Sequence, residues 1–357
     1  MTIEKWIRKE ILAQKAYAVG PQDCPVKIDA MENPYVLPPA SRQALFDRLK
    51  NVLLNRYPEA GALRLRSRYA GYFGVDETML TIGNGSDELI TILCTALSVP
   101  PSTVLIPVPT FAVYRIVALN QGHRVLEVPL DENYDLDLPA MLEMIHSEQP
   151  ALIFLSNPNN PTGNCFTTEK IEAIIKASPG IVVVDEAYFP FSGKTIIPLL
   201  KTYENLVVLR TLSKVGLAAI RVGFLMGAAP LVEELDKVRL PYNINSLSQV
   251  VADFFLDEQE VFADQARKII QSREDLFAEL SGLKGIHPFQ SDANFIFFSC
   301  DFNADSIYGH LLKKGIMIKN LNAPGRMKNT MRVTIGTRKE NAQFMEALRE
   351  CLTSRGA

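Results

Sequence analysis

Between residues 79 and 226 short apolar runs rich in β-branched residues alternate with longer mixed segments, without an internal sequence repeat. The runs cover 79–82, 103–107, 124–128, 152–155, 181–184, 206–209 and 222–226, and Gly, Pro, Asn or Asp closes them. A run that is apolar at every position predicts a strand buried on both faces. Segments with helical spacing, such as 87–97 and 169–176, stand between the runs. This alternation constrains the fold to α/β, with a mostly parallel, buried central sheet. After Pro230 the texture changes. Helices are expected over 232–239 and around 249–280, short strands over 295–299, 316–319 and 331–335, and a final amphipathic helix over 340–352. That pattern predicts a smaller α+β domain. The expected division is an N-terminal arm (1–28), a large domain (51–239) and a small domain (29–50 with 240–357). The three prolines of 29–39 mark a crossing between the two.

A net charge of −3 gives no broad electrostatic attraction to nucleic acid or to an anionic membrane, so neither is expected as a partner. Any anion site must be local. The five cysteines (Cys24, Cys94, Cys165, Cys300, Cys351) are scattered, odd in number and without metal-ligand spacing. The four histidines are equally dispersed, and no metal site is expected. The N-terminus is charged and amphipathic, without the apolar core of a signal peptide. No apolar stretch approaches the length of a membrane span. A cytoplasmic location is the expectation.

Local chemistry concentrates where the expected strands end. Lys214 follows the run 206–209 within Arg210-Thr211-Leu212-Ser213-Lys214 and precedes Gly216, Arg221 and Gly223. A lysine so placed can form a Schiff base, and its hydroxylated neighbours with Arg221 suit a phosphate. Asp185 follows four β-branched apolar residues and should sit at the carboxyl end of a buried strand, the edge where open α/β sheets bind ligands. There it can pair with a pyridinium nitrogen, or simply cap the next helix. Tyr188 stands three residues later. The segment Gly83-Asn84-Gly85-Ser86-Asp87-Glu88 offers free amides at a helix start, although Ser86 or Asp87 could equally be a plain N-cap. Asn160 lies in a Pro- and Asn-rich turn beyond the run 152–155. Arg332, a charge within an expected strand, can clamp a carboxylate or face water on an edge. Two other enzyme classes fail on spacing. Gly193-Lys194-Thr195 lacks the earlier glycine of a phosphate loop, because Tyr188 stands there, and Glu88 replaces the last glycine of a dinucleotide fingerprint.

Taken together, these motifs resemble the fold-type I, pyridoxal-phosphate-dependent aminotransferases, most closely those acting on histidinol phosphate. The resemblance runs from Asp29 to Leu352 and includes Met31-Glu32-Asn33-Pro34-Tyr35, Asn55-Arg56-Tyr57-Pro58-Glu59, Pro109-Thr110-Phe111 and Asn159-Asn160-Pro161-Thr162-Gly163. It implies that Lys214 carries pyridoxal 5'-phosphate and shuttles a proton, with Asp185 on the ring nitrogen. Asn160 and Tyr188 would bind the phenolic oxygen, and Phe111 would stack on the ring. Ser86, Asp87, Thr211, Ser213 and Arg221 would hold the phosphate, with Tyr57 reaching it from the partner of a homodimer. Arg332, Lys319 and Asn33 would bind small-molecule substrates. The implied reaction passes an amino group from L-histidinol phosphate to 2-oxoglutarate, a step of histidine biosynthesis. The same residues would also serve an aromatic amino-acid aminotransferase or a threonine-phosphate decarboxylase. Phe111 stands where the family often has tyrosine, and Lys319 where it often has arginine. The spacing from Lys214 to Arg221 is one residue short.

Overall fold

The computed structural model describes residues 3–15, 24–99 and 102–353. Of the expected N-terminal arm, residues 1–2 and 16–23 lie outside the described residues. A two-residue strand, β1 (Val26–Lys27), precedes the main sheet. The main sheet comprises β2 (Leu80–Gly83), β3 (Thr103–Val108), β4 (Arg124–Pro129), β5 (Leu152–Ser156), β6 (Ile181–Asp185), β7 (Leu206–Thr211) and β8 (Gly223–Gly227). Each expected run is a strand, shifted or extended by at most two residues. The order is β2-β8-β7-β6-β5-β3-β4. The five strands from β7 to β4 run parallel, and β8 runs antiparallel to both β7 and β2.

Burial explains this order. Val182, Val183 and Val184 have no exposed surface, and each contributes about 1.5–3 kcal/mol by leaving water. The strand β4 is the exception to two-sided burial. It is an edge, and exposed Arg124, Glu127 and Pro129 discourage further pairing there.

A second layer holds β9 (Ile286–Pro288), β10 (Phe295–Cys300), β11 (Ile316–Met317), β12 (Lys319–Asn320) and β13 (Thr330–Thr334). Four of these form an antiparallel sheet, β12-β13-β10-β9, while β11 pairs with β1. The strand expected over 316–319 is thus two short ones. The long helical stretch also divides, into Ser246–Asp257 and Gln259–Ser281. Its two parts join mostly different cores, although Phe262 of the second still belongs to the first. Val251, Phe254 and Phe255 join Tyr69 and Phe224 under the main sheet, whereas Ile269, Leu276 and Leu280 pack in the core of the second layer. Leu45, from the helix Pro39–Leu49, also belongs to the first core. Both helices, which the expected division assigns to the small domain, contribute to the core of the main sheet.

The carboxyl ends of β2, β5, β6 and β7 and the amino end of β8 meet at one edge of the main sheet. The segment 28–38 crosses from the second layer over this edge. Asn33 pins it there, donating from Nδ2 to the Val215 carbonyl at 2.7 Å and to Gln265 Oε1 at 2.9 Å.

Candidate active site

One cavity opens at that edge. Met31, Ser86, Asp87, Phe111, Tyr114, Ser156, Asn160, Asp185, Ala187, Tyr188, Thr211, Ser213, Lys214 and Arg221 line it. Lys214 sits in a single wide helical turn, Ser213–Leu217, directly after β7. Its Nζ lies 3.5 Å from the Ala30 carbonyl oxygen and 5.8 Å from the centre of the Tyr188 ring. Burial lowers its pKa to about 8, and the positive charge of Arg332 acts in the same direction. A lysine held there is neutral, and so nucleophilic, far more often than one in water.

Asp185 ends β6 and is buried, with 3% of its surface exposed. Its Oδ2 accepts the Tyr114 hydroxyl at 2.8 Å, and its Oδ1 accepts the Ala187 amide at 3.1 Å. Burial pushes the carboxyl up to about 6, against the pull of those two donors. It therefore remains charged at neutral pH and faces the cavity.

Glycine shapes the opposite end. Arg221 donates to Ser213 Oγ at 3.1 Å and to Asp87 Oδ2 at 2.9 Å. A Cβ at Gly85, where φ is +80°, would come within 2.6 Å of Arg221 Nη2. One at Gly223 would come within 2.5 Å of the Ser86 amide nitrogen. Only glycine lets the start of the helix Ser86–Ala96, the guanidinium and the β8 backbone approach this closely. The result is a set of amide, hydroxyl and guanidinium donors fitted to a phosphate. Asn160 is tied from behind, its Oδ1 accepting from Arg332 Nη1. Arg332 also donates to the Asp29 carbonyl at 2.9 Å. The cavity thus offers an anion cradle, an acid for a protonated ring nitrogen, and an amine for a carbonyl carbon. Those are the requirements of pyridoxal phosphate, and the residues fit it.

Residues 26–348 match the family described as aminotransferase class I and II. The chain belongs to that family. This aminotransferase is 45% identical over 350 residues to "Histidinol-phosphate aminotransferase 2" of Nitrosococcus oceani, covering 97% of each chain. It is 39% identical to "Histidinol-phosphate aminotransferase" of Aquifex aeolicus, covering 98% of each. Among solved structures it superposes on histidinol-phosphate aminotransferase from Sinorhizobium meliloti in complex with pyridoxal-5'-phosphate. The TM-score is 0.88, with 23% identity and 98% of both chains covered. The L-threonine-O-3-phosphate decarboxylase of Porphyromonas gingivalis shares the fold too, with TM-score 0.79, 22% identity, and 92% and 99% of the two chains covered. Pyridoxal phosphate is the cofactor of the family.

Four residues expected at the site of this aminotransferase lie outside the cavity wall. Arg332 stands behind Asn160, in the middle of β13. Lys319 is its register partner across β12 and is half-buried. The Asn33 amide is fully engaged, donating to Val215 and Gln265 while its Oδ1 accepts from the Tyr35 amide at 2.8 Å. It shapes the turn after Lys214 instead of presenting a free donor. Tyr57 is 81% exposed and stacks on Tyr242 at 4.6 Å. Conversely, Tyr114, Ser156 and Met31 line the cavity without having been expected there. Tyr114 carried one legible signal, its position three residues after Phe111, which caps the helix that holds it.

Proposed function

We propose that this aminotransferase exchanges an amino group between L-histidinol phosphate and 2-oxoglutarate, in the cytoplasm, as a homodimer. The observation that carries the reaction type is the meeting of Lys214, Asp185 and the Arg221 cradle in one cavity. Full-length identity to relatives named for histidinol phosphate supports the substrate. Bound pyridoxal phosphate supplies an electron sink for the bond broken at the substrate Cα. Arg221, Ser213, Thr211 and the backbone amides at Ser86 and Asp87 would hold its phosphate. Asp185 would pair with its ring nitrogen, Asn160 and Tyr188 would bind its phenolic oxygen, and Phe111 would stack on its ring. Lys214 Nζ takes the proton from the substrate Cα and delivers it again on the far side of the transfer, as general base and then acid. Arg332, whose Nη1 already reaches Asn160 on the cavity wall, would grip the α-carboxylate of glutamate or 2-oxoglutarate. Lys319 sits opposite Arg332 on the neighbouring strand, adding positive charge for an anionic substrate.

The homodimer has its own support. Leu53, Leu54, Tyr57, Leu63, Leu240, Tyr242 and Leu247 are large, apolar and exposed. The segments carrying them are joined by the Tyr57–Tyr242 stack and by a bond from Gln249 to the Glu59 carbonyl at 3.2 Å. A surface of this kind fits a partner subunit. The deciding experiment mixes the cofactor-loaded protein separately with histidinol phosphate, phenylalanine and threonine phosphate, and follows cofactor absorbance and products. Fastest conversion of histidinol phosphate to its keto product supports the reading. Preference for phenylalanine replaces the substrate, and carbon dioxide released from threonine phosphate replaces the reaction.

A further inference from the structure

Tyr114 lines the cavity, and the roles assigned above leave it unused. It lies on the helix Ala112–Asn120 with no exposed surface. Its ring lies parallel to that of Phe154, 4.7 Å away and 2° from coplanar orientation. Its hydroxyl is thereby aimed at Asp185 Oδ2, 2.8 Å away. On another side the same ring meets Phe111 edge to face at 5.4 Å and 87°. One side chain thus touches both groups placed to read a heteroaromatic ring, the acid at its edge and the aromatic on its face.

We propose that Tyr114 is a positioning residue, which keeps the Asp185 carboxylate charged and aimed into the cavity while steadying the Phe111 ring. The proposal rests on the reading of this cavity as the pyridoxal phosphate site. The argument concerns a buried acid. A buried carboxylate is stabilised in its charged form by each donor it accepts, and Asp185 accepts two from the protein. The surrounding charges partly cancel, because Asp87 disfavours its ionisation while Lys214 favours it. Arg221 and Tyr188 complete the ionisable groups on the cavity wall. Without the Tyr114 hydroxyl only the Ala187 amide remains, and the acid holds its proton to higher pH. A protonated Asp185 is no counter-ion for a protonated ring nitrogen.

The test measures binding of pyridoxamine 5'-phosphate by equilibrium dialysis across pH. This ligand has no aldehyde, so Lys214 does not capture it. Tyr114→Phe keeps the ring and loses the donor, whereas Tyr114→Gln keeps a donor and loses the ring. For Tyr114→Phe the affinity, relative to the unsubstituted protein, should be near equal at alkaline pH. It should fall to about 10-fold weaker as pH drops through neutrality, the worth of one hydrogen bond to a charged group. Tyr114→Gln should show a loss that does not vary with pH, from the unsupported Phe111. A Tyr114→Phe loss that is constant with pH, or absent, overturns the proposal. So does a Tyr114→Gln protein with the pH dependence expected for Tyr114→Phe. Failure of the unsubstituted protein to bind pyridoxamine phosphate at any pH strikes the cofactor reading itself, and the inference with it.

Discussion

Asp185 and Lys214 are displaced toward each other, the acid up to about 6 and the amine down to about 8. Burial drives both shifts, because it penalises whichever form is charged. Between these values the acid is ionised and a useful fraction of the amine is neutral. The rate at which the cofactor-free protein captures pyridoxal phosphate should therefore rise with pH, with a midpoint near 8. Arg332→Gln removes a positive charge that disfavours the ammonium, so its midpoint should move to higher pH. Stopped-flow absorbance checks both, and an unmoved midpoint would show that Arg332 is not felt at Lys214. Stability carries the same signs. The unfolded chain holds the Lys214 proton more tightly between about 8 and 10.5, so this group makes stability rise with pH across that window. The folded chain holds the Asp185 proton more tightly between 3.8 and about 6, so that group makes stability fall as pH rises there. Asp185→Asn should remove the second effect, seen as a flatter melting temperature over that range. Lys214 and Asp185 were legible in the sequence, because Asp185 directly follows an apolar run that had to be a buried strand and Lys214 comes a short polar segment after another. Tyr114 showed only its spacing from Phe111, since its partner Asp185 lies 71 residues away. Asn33 was legible as a residue of the crossing segment, but its engagement by Val215 and Gln265 depends on which helix that segment meets.

At the scale of elements, the cradle depends on β8 entering antiparallel between β2 and β7. This places Gly223 against the first turn of the helix Ser86–Ala96. Gly223→Ala should drive its Cβ into the Ser86 amide, costing about 1–3 kcal/mol of stability by overpacking. It should also weaken pyridoxal phosphate binding, because the amides can no longer converge. Urea unfolding and equilibrium dialysis measure the two effects, and unchanged affinity would show that the cradle tolerates a shifted helix start. Asn33→Ala leaves the Gln265 oxygen and the Val215 carbonyl without a donor. It should lower stability by about 1–3 kcal/mol in the same urea assay. The strands of the main sheet were readable because burial on both faces writes a continuous apolar run. The break at Glu258 was not, since helical spacing continues through it. The chain changes core only beyond the break, with Phe255 and Phe262 both under the main sheet and Ile269 in the second layer. That choice is tertiary and leaves no mark in local periodicity.

For the whole molecule, the informative residue is Tyr57, because its exposure and its expected task conflict within one subunit. A side chain 81% exposed and outside the cavity has no cofactor to touch in its own chain. The conflict is removed if Tyr57 reaches into a second copy. A mixed dimer tests this directly. Lys214→Ala subunits cannot hold the cofactor by their own lysine, and Tyr57→Ala subunits lack the tyrosine that they would lend. When the two are co-expressed with different tags and the mixed species is isolated, its two sites differ. One site brings both substitutions together and is dead. The other combines an intact Lys214 with an intact Tyr57 from the opposite subunit. Pure Tyr57→Ala protein should bind pyridoxal phosphate about 10-fold more weakly than the unsubstituted protein, the worth of one hydrogen bond to a phosphate. In the mixed dimer the single live site should recover full affinity, with half the lysine-bound absorbance per dimer. Recovery requires that Tyr57 act across the interface, since no subunit of the mixture carries both intact residues. If the live site stays as weak as in pure Tyr57→Ala, the tyrosine serves its own chain or no site at all. A protein that sediments as a monomer at the concentrations of the assay would dispose of the shared site altogether.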